Sequence, residues 1–548
     1  MNKIIEALKK IFAAENTPEI LVDCGGDPGR YNDKRQVFNR RYQFRPAAIV
    51  FCENSTHVSS VLQLANDLDF HIRVRSGGHD HEGECSATDT VVIDLSKMKK
   101  VVIDEKKQEV RIQPGVIFKD LVPKLNLKNV GIPHGTCGTV GLPGFTLGGG
   151  WGPWTRLYGM CCEHLVGATI VLGDGTVKQL SAHATDSADL ELLWALRGGG
   201  GMSYGIVTEL IIKTFPLPKD TIKFNLVWEQ TPAIKVLQRW EDLIDPAKEL
   251  PNNHRILGTN LKIMAIPKPK GKQDITKTVH PCTFYGYYAG TKKQLDEDLE
   301  LWFGDLQPYT KTIIEDKAPL RMLTSKKLTA TAFKNNSLMQ YDVFSDWDRV
   351  LPVKNKLEAK NKPQLGTIPP DRDPPAPHKI SCRLLKENFF HDLGAQKSLL
   401  ESLESGLVTV EGMETGIYCY VTLGAISGSY YAGYTEEAFP KGSAFPYKKR
   451  PYTIQYQAWW NVPEEDDKSQ NTGIRKLYVD NYTNQALDWI EHCRSREFPQ
   501  ASGSFISFKD NSVPTSQYFM QSYEQLKEIK RMHSQDPKNI LRSRKTII

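Results

Sequence analysis

The chain has no apolar run long enough to cross a bilayer as a helix, which argues against an integral helical membrane protein. It also has little net charge, with 70 basic against 64 acidic residues leaving +6 over 548 positions. The basic clusters Lys448-Lys449-Arg450 and Lys527 to Arg531 are short and interrupted, so they read as solvated faces and not as a nucleic-acid footprint. Ten cysteines show no Cys-x-x-Cys spacing, and Cys161-Cys162 are adjacent, a poor geometry for an ordinary bridge, so free thiols are expected. No internal repeat is evident. Gly198 to Gly201 lacks the Lys-Ser/Thr of a phosphate-cradling loop and reads as a helix terminator. No apolar strand enters Gly148-Gly149-Gly150-Trp151-Gly152 directly, so the dinucleotide fingerprint of strand, glycine loop and helix is missing too.

What is present fits a globular protein: 40% hydrophobic and 24% charged residues, in a chain too long for one ordinary core. Two domains are expected. The opening MNKIIEALKKIFAAE sets Ile4, Ile5, Leu8, Ile11 and Phe12 on one helical face, and Glu6 with Lys9-Lys10 breaks any signal-peptide core, so a cytoplasmic location is expected. A strand at 47–52, a helix capped by Ser55 and running to about Leu68, and a strand at Ile72–Val74 follow. Short strands at 91–95, 101–104 and 109–115 come next, then a helix from Val116 to Leu127. Gly173-Asp174-Gly175 marks a hairpin, and Asp186 or Ser187 caps a helix that ends at Gly198. A strand at 205–215 closes this unit before Pro216-Leu217-Pro218. Beyond it, a helix begins near Pro232, a proline-rich stretch at 363–377 reads as an exposed loop or lid, and PYTIQYQAWW (451–460) alternates as a strand with Thr453, Gln455 and Gln457 on one face. Helices are expected at 472–494 and 523–533.

Two glycine-rich stretches carry the chemistry. Arg75-Ser76-Gly77-Gly78-His79-Asp80-His81 leaves a β-branched strand, and glycines there let backbone N–H groups point at an anion such as a pyrophosphate. His134 to Gly152 holds too many glycines for a helix or strand, which suits close backbone approach to a flat ligand, and it contains Cys137. His79-Asp80-His81-Glu82 would suit a metal, since His-x-His places two imidazoles on one side of an extended chain, but no further ligands follow at recognisable spacing. A turn with no ligand at all is the plain alternative.

The runs RSGGHDHEG, HGTCGTVGLPGFTLGGGWGPWTRLYG and LLWALRGGGGMSYGIVTEL, in that order, resemble the berberine-bridge-enzyme-like branch of the vanillyl-alcohol-oxidase/p-cresol-methylhydroxylase flavoproteins. The likeness is strong over residues 40–215 and looser from Phe445 to Asp510 and at 536–541. It implies an α+β protein: a two-part FAD-binding domain of the p-cresol-methylhydroxylase type (1–218), a substrate domain with a large antiparallel sheet flanked by helices (219–495), and a C-terminal segment returning to the FAD domain (496–548). It further implies FAD attached twice, through His79 to the 8α-methyl group and through Cys137 to ring carbon six; imidazole and thiolate are nucleophilic enough for both bonds. By the same likeness, Arg75, Ser76, Gly77, Gly78, His79 and Asp80 hold the pyrophosphate. Val140, Gly141, Gly144, Gly148, Gly149 and Gly150 line the ring and ribityl chain, and Ile206 and Val207 the adenine side. The small β-branched Val140 resembles the oxygen-reactive members, favouring an oxidase over a dehydrogenase with another acceptor.

The chain departs from the family where Ser504-Phe505-Ile506-Ser507-Phe508-Lys509-Asp510 stands in place of A-Y-x-N-Y-x-D, whose tyrosine faces substrate and whose asparagine contacts flavin. Phe505 cannot exchange a proton. Gln455, where some members carry a glutamate base, can only orient a substrate hydroxyl. Tyr158, which resembles an active-site tyrosine, and His81, where relatives carry tyrosine, are then the candidates for the base. His81 as a spacer bonded to backbone is the other reading. The expected reaction is hydride transfer from a small organic substrate to FAD, with molecular oxygen reduced to hydrogen peroxide. A sugar or other alcohol, or an aromatic or alkaloid-like compound, would serve as substrate, since ten tryptophans and twenty-one tyrosines offer stacking surfaces for either. A flavin-binding protein with little turnover, or a metal-dependent protein using His79 and His81, are the readings from other classes. Neither a nucleic-acid nor a membrane partner is expected, and the chain is expected to be a monomer or homodimer.

Overall fold

The computed structural model describes residues 2–548 apart from 13–17, 24, 219, 249, 268–273, 275–276, 309, 318–374, 387, 410–416, 461–471 and 497–500. The proline-rich stretch thus lies almost wholly outside the described residues.

Among the described residues three larger sheets organise the chain, beside a two-strand pairing of Phe215–Pro216 with Val130–Gly131. In the first, Glu19–Val22 runs antiparallel to Ala48–Phe51, which pairs in parallel with Val91–Asp94 and through it with Ile72–Arg75. The helix Ser55–Leu68 covers this sheet with Val58, Val61, Leu62 and Ala65 inward. Its cap is Asn54 and not Ser55: the Asn54 side chain accepts from the His57 N–H, and Asp69 ends the helix in the left-handed region at φ 53°. Leu8 and Phe12, at the end of the helix Asn2–Ile11, join the same core.

The second sheet is antiparallel, in the spatial order Val101–Asp104, Glu109–Ile112, Ile206–Lys213, Leu165–Val171, Val177–Ser181. The helix Ser187–Leu196, capped by Asp186, ends at Gly198, whose φ of 96° only glycine adopts easily. Against this sheet and helix pack Phe519, Leu526, Ile529 and Ile547 from the end of the chain.

The third sheet has seven antiparallel strands: Thr310–Lys317, Asp220–Trp228, Cys282–Ala289, Ile256–Met264, Tyr418–Ala425, Tyr452–Trp459 and His378–Leu385. Period two divides its faces. Along Tyr452–Trp459, the residues Tyr452, Ile454, Tyr456 and Ala458 enter an apolar core shared with the helices Ala233–Ile244 and Leu393–Leu403. Thr453, Gln455, Gln457 and Trp459 take the other face, yet they are just as buried. A fully buried polar face requires partners, because an unpaired buried amide or hydroxyl costs about 1–3 kcal/mol. Among the described residues no helix is long and apolar enough to cross a membrane.

Candidate functional site

The two glycine stretches meet each other. A Cβ on Gly77 would stand 2.5 Å from the Gly141 nitrogen, and one on Gly141 would stand 2.3 Å from Ser76 Oγ and 2.7 Å from the Gly77 nitrogen. Backbones at this separation admit no side chain, which is the physical need for glycine at both positions. Beyond the crossing, one cavity is lined by these loops on one side and by the polar face of the seven-stranded sheet on the other.

Most of the residues expected to hold a cofactor are on that lining: Ser76, Gly77, Gly78, His79 and Asp80 from the first loop, then Cys137, Val140, Gly141, Gly144 and Gly148 from the second, with Ile206 and Val207. Three are not. Gly149 is packed under Phe505 and Phe445, and Gly150 under Cys161 and Phe145, so both shape the turn instead of touching the cavity. Arg75 ends its strand in a buried ion pair with Asp94, 2.6 Å long, and holds the root of the loop.

His79 and Cys137 share a neighbour. His79 Nε2 lies 2.7 Å from Thr139 Oγ1, and Cys137 Sγ lies 3.5 Å from the same hydroxyl. With Nε2 so engaged, Nδ1 is the His79 nitrogen left for another bond. Burial, with a smaller contribution from His81, lowers the His79 pKa to about 3, so the ring is neutral and nucleophilic. It stacks on Phe38 with centroids 3.8 Å apart. Asp80 accepts from the Glu82 and Glu84 N–H groups and pairs with Lys509 at 2.7 Å. Burial works against its charge, but Lys509 and these N–H groups hold the carboxyl below its usual range.

The polar face carries a chain of amides. Trp459 Nε1, which can only donate, donates to Gln457 Oε1 at 3.1 Å, and the Tyr420 hydroxyl donates to the same oxygen at 3.1 Å. Gln457 Nε2 donates to Gln455 Oε1 at 3.2 Å, which leaves Gln455 with its amide N–H groups, one of them toward Thr453 Oγ1 at 3.4 Å. The indole thereby sets the direction of every bond in the row. The Lys262 ammonium sits 4.5 Å from the centre of the Tyr420 ring. Asn260 donates to Tyr285, and its Oδ1 is buried on the cavity wall without a hydrogen-bond partner.

His81 lines the cavity, with Nδ1 2.9 Å from Nε2 of the buried His378. Burial, opposed by Asp80, lowers its pKa to about 4. Tyr158 requires a correction. It is stacked flat on Phe215, 3.6 Å between centroids, its hydroxyl donates to the Pro216 carbonyl at 3.3 Å, and it is not among the cavity's lining residues. An aromatic stacking partner from outside the glycine stretch captured it.

Several residues of the site escaped the sequence reading. Tyr420 and Asn260 are readable only as members of alternating strands, and Lys509 lies within the segment where the chain departs from the family motif. His378, and Asn39 whose amide donates to the His81 and His378 carbonyls, gave no local signal. Among the described residues no group of three or more His, Cys, Asp or Glu side chains is placed to hold a metal ion.

The residues fit a flavin dinucleotide. The glycine crossing leaves backbone where a Cβ would intrude, and a Cβ on Gly144 would meet nothing within 4 Å. Ser507, at the position of the family's flavin-contacting asparagine, lines the cavity with a buried hydroxyl that has no hydrogen-bond partner. A chain with this fold and cradle is an FAD-binding enzyme of the oxidoreductase class. Residues 46–181 match the family model described as FAD binding domain. The chain is 25% identical to the FAD-linked oxidoreductase YvdP of Bacillus subtilis (strain 168) over 525 residues, 94% of this chain and 95% of that one. It is 30% identical to berberine bridge enzyme-like 24 of Arabidopsis thaliana over 270 residues, about half of either chain: 48% and 47%. Its fold matches that of Physcomitrella patens BBE-like 1 at a TM-score of 0.70 with 19% identity, and that of a carbohydrate oxidase from Microdochium nivale at 0.67 with 18% identity, each over 99% of both chains. The chain is thus similar to FAD-linked oxidoreductases, berberine-bridge-enzyme-like proteins among them, and shares their fold.

Proposed function

We propose that this protein is an oxidase of neutral, hydroxyl-bearing substrates, sugars foremost, with FAD bonded to both His79 and Cys137. The observation that carries the reading is the charge balance of the cavity. Its charged lining residues are already neutralised: Asp80 by Lys509, and Glu84 by Arg544. An alkaloid amine would find no carboxylate to itself there, and a substrate carboxylate no cation. A sugar would find a donor in Gln455, with Asn260, Tyr420 and Trp459 beside it on the lining. The Microdochium nivale neighbour, a carbohydrate oxidase, supports the same substrate class.

Bound FAD supplies the two-electron acceptor for the substrate hydride, and dioxygen supplies the reoxidant, yielding hydrogen peroxide. His81 accepts the hydroxyl proton. A carbinol O–H becomes strongly acidic as hydride leaves its carbon, so a neutral imidazole with a pKa of about 4 suffices. Gln455 and Tyr420 orient the hydroxyl, while Phe505, Phe508 and Phe38 keep that end of the cavity dry. Thr139 holds the two attachment nucleophiles side by side. Val140, small and on the lining, leaves room for oxygen.

A panel of neutral sugars, benzylic alcohols and cationic alkaloids, mixed with the protein without oxygen, tests this. A neutral alcohol should bleach the flavin, and readmitted air should restore colour with one peroxide per substrate. Bleaching by amines alone would sink the proposal, and reoxidation only by an added dye would make the protein a dehydrogenase.

A further inference from the structure

We propose that His378 is a positioning residue that fixes the ring protons of His81, so that Nε2 of His81 carries a lone pair available to the substrate hydroxyl. The inference rests on His81 being the proton acceptor. It starts from one carbonyl. His378 Nδ1 lies 2.9 Å from the Ala376 oxygen, and a carbonyl oxygen can only accept, so that nitrogen bears the proton. His378 is wholly buried, beside His81, and is held neutral. A neutral imidazole has one N–H, so its Nε2 is a bare acceptor. His81 Nδ1, 2.9 Å away, must then be the donor. His81 is neutral as well, so its own Nε2 is bare. In free histidine the opposite tautomer is the commoner one; here it would set two lone pairs against each other.

The pair is held from both sides. Asn39, fully buried, donates from Nδ2 to the His81 carbonyl at 2.6 Å and to the His378 carbonyl at 3.0 Å, and its Oδ1 accepts from the His378 backbone N–H at 3.2 Å. The His378 ring lies on Trp459 with centroids 3.9 Å apart. The groups facing His81 are His378, Phe508, His79, and Asp80 with its Lys509. When the hydroxyl proton arrives at Nε2, the bond from Nδ1 to His378 becomes charge-assisted, which strengthens it as the reaction proceeds. That proton and the one carried with the hydride are the two that hydrogen peroxide needs.

The test uses the flavin-loaded protein and the alcohol found to bleach it in the panel above. His378→Leu removes the acceptor and should slow anaerobic flavin reduction roughly 10- to 100-fold with little change in half-saturation. His378→Gln, which keeps an acceptor oxygen, should recover most of the loss, and it carries the test should the leucine variant fail to fold. In a His81→Ala background, His378→Leu should add less than about twofold. Ring ¹⁵N signals of histidine-labelled protein, with His81 assigned by its loss in His81→Ala, should show a protonated Nδ1 and a bare Nε2. Undiminished reduction in His81→Ala overturns the acceptor reading itself. A slow His81→Ala with fully additive losses, or a His81 protonated at Nε2, overturns the role of His378 alone.

Discussion

Substituting Gly141 with alanine should uncouple flavin attachment from folding. Gly141 has an ordinary backbone conformation, φ −81° and ψ 136°, so alanine meets no torsional penalty there. Its methyl group would stand 2.3 Å from Ser76 Oγ and 2.7 Å from the Gly77 nitrogen, where ordinary contact begins near 3.4 Å. The two loops must therefore part by about 1 Å, at a cost of about 1–3 kcal/mol for such overpacking. His79 leaves one loop and Cys137 the other, so the two proposed attachment residues would lose register with a single cofactor ring. A misplacement of about 1 Å costs on the order of 100-fold in rate. The assay is the fraction of flavin that stays with acid-precipitated protein, followed over time beside the thermal midpoint. Gly141→Ala should be folded but poorly flavinylated. Ser76→Ala in the same chain should restore only part of the loss, because the Gly77 nitrogen still obstructs. Gly144→Ala is the companion: its methyl meets no protein atom within 4 Å, so any deficit it shows arises from the cofactor. A fully flavinylated Gly141→Ala protein with an unchanged midpoint would refute the reasoning.

Further outcomes are expected. His79→Ala should keep flavin bonded through Cys137 alone, and loss of both side chains should make it extractable by acid; extractable flavin in the unaltered protein contradicts double attachment. Tyr158→Phe should change the reduction rate by less than about threefold, since its hydroxyl serves only the Pro216 carbonyl; a 100-fold loss would return Tyr158 to the mechanism. His81 and His134 are buried neutral with pKa values lowered to about 4, so the unfolded chain binds protons that the folded chain does not. Stability should hold above pH 6.5 and fall as pH drops from there toward 4, by about 1.4 kcal/mol per histidine per pH unit. Thermal midpoints that do not move between about pH 7.5 and pH 5 would contradict this.

The glycine loops and the alternating strand were readable because their demands are local. Gly77 and Gly141 answer to backbone distance, and the polar residues of Tyr452–Trp459 to a period of two. The helix Tyr523–His533 was legible from its apolar spacing, with Leu526 and Ile529 inward. What escaped was set by long-range pairing. Tyr158 lies beside a glycine-rich stretch, yet Phe215 decides where its ring goes. His378 and His81 are 297 positions apart, and only sheet assembly brings them together. Gly149 and Gly150 have the composition of a ligand loop, but Phe505 and Phe145 occupy the space beside them.

The segment around Phe505, Ser507 and Lys509 closes the cavity near the end of the chain, and Asn39 near its beginning is bonded to His378. During synthesis, therefore, the cofactor chamber has no complete wall until the segment Phe505 to Lys509 has left the ribosome. Flavin capture is in that sense a signature of this late segment: a nascent or truncated chain that contains the whole matched stretch 46–181 but stops before Phe505 should still emerge colourless.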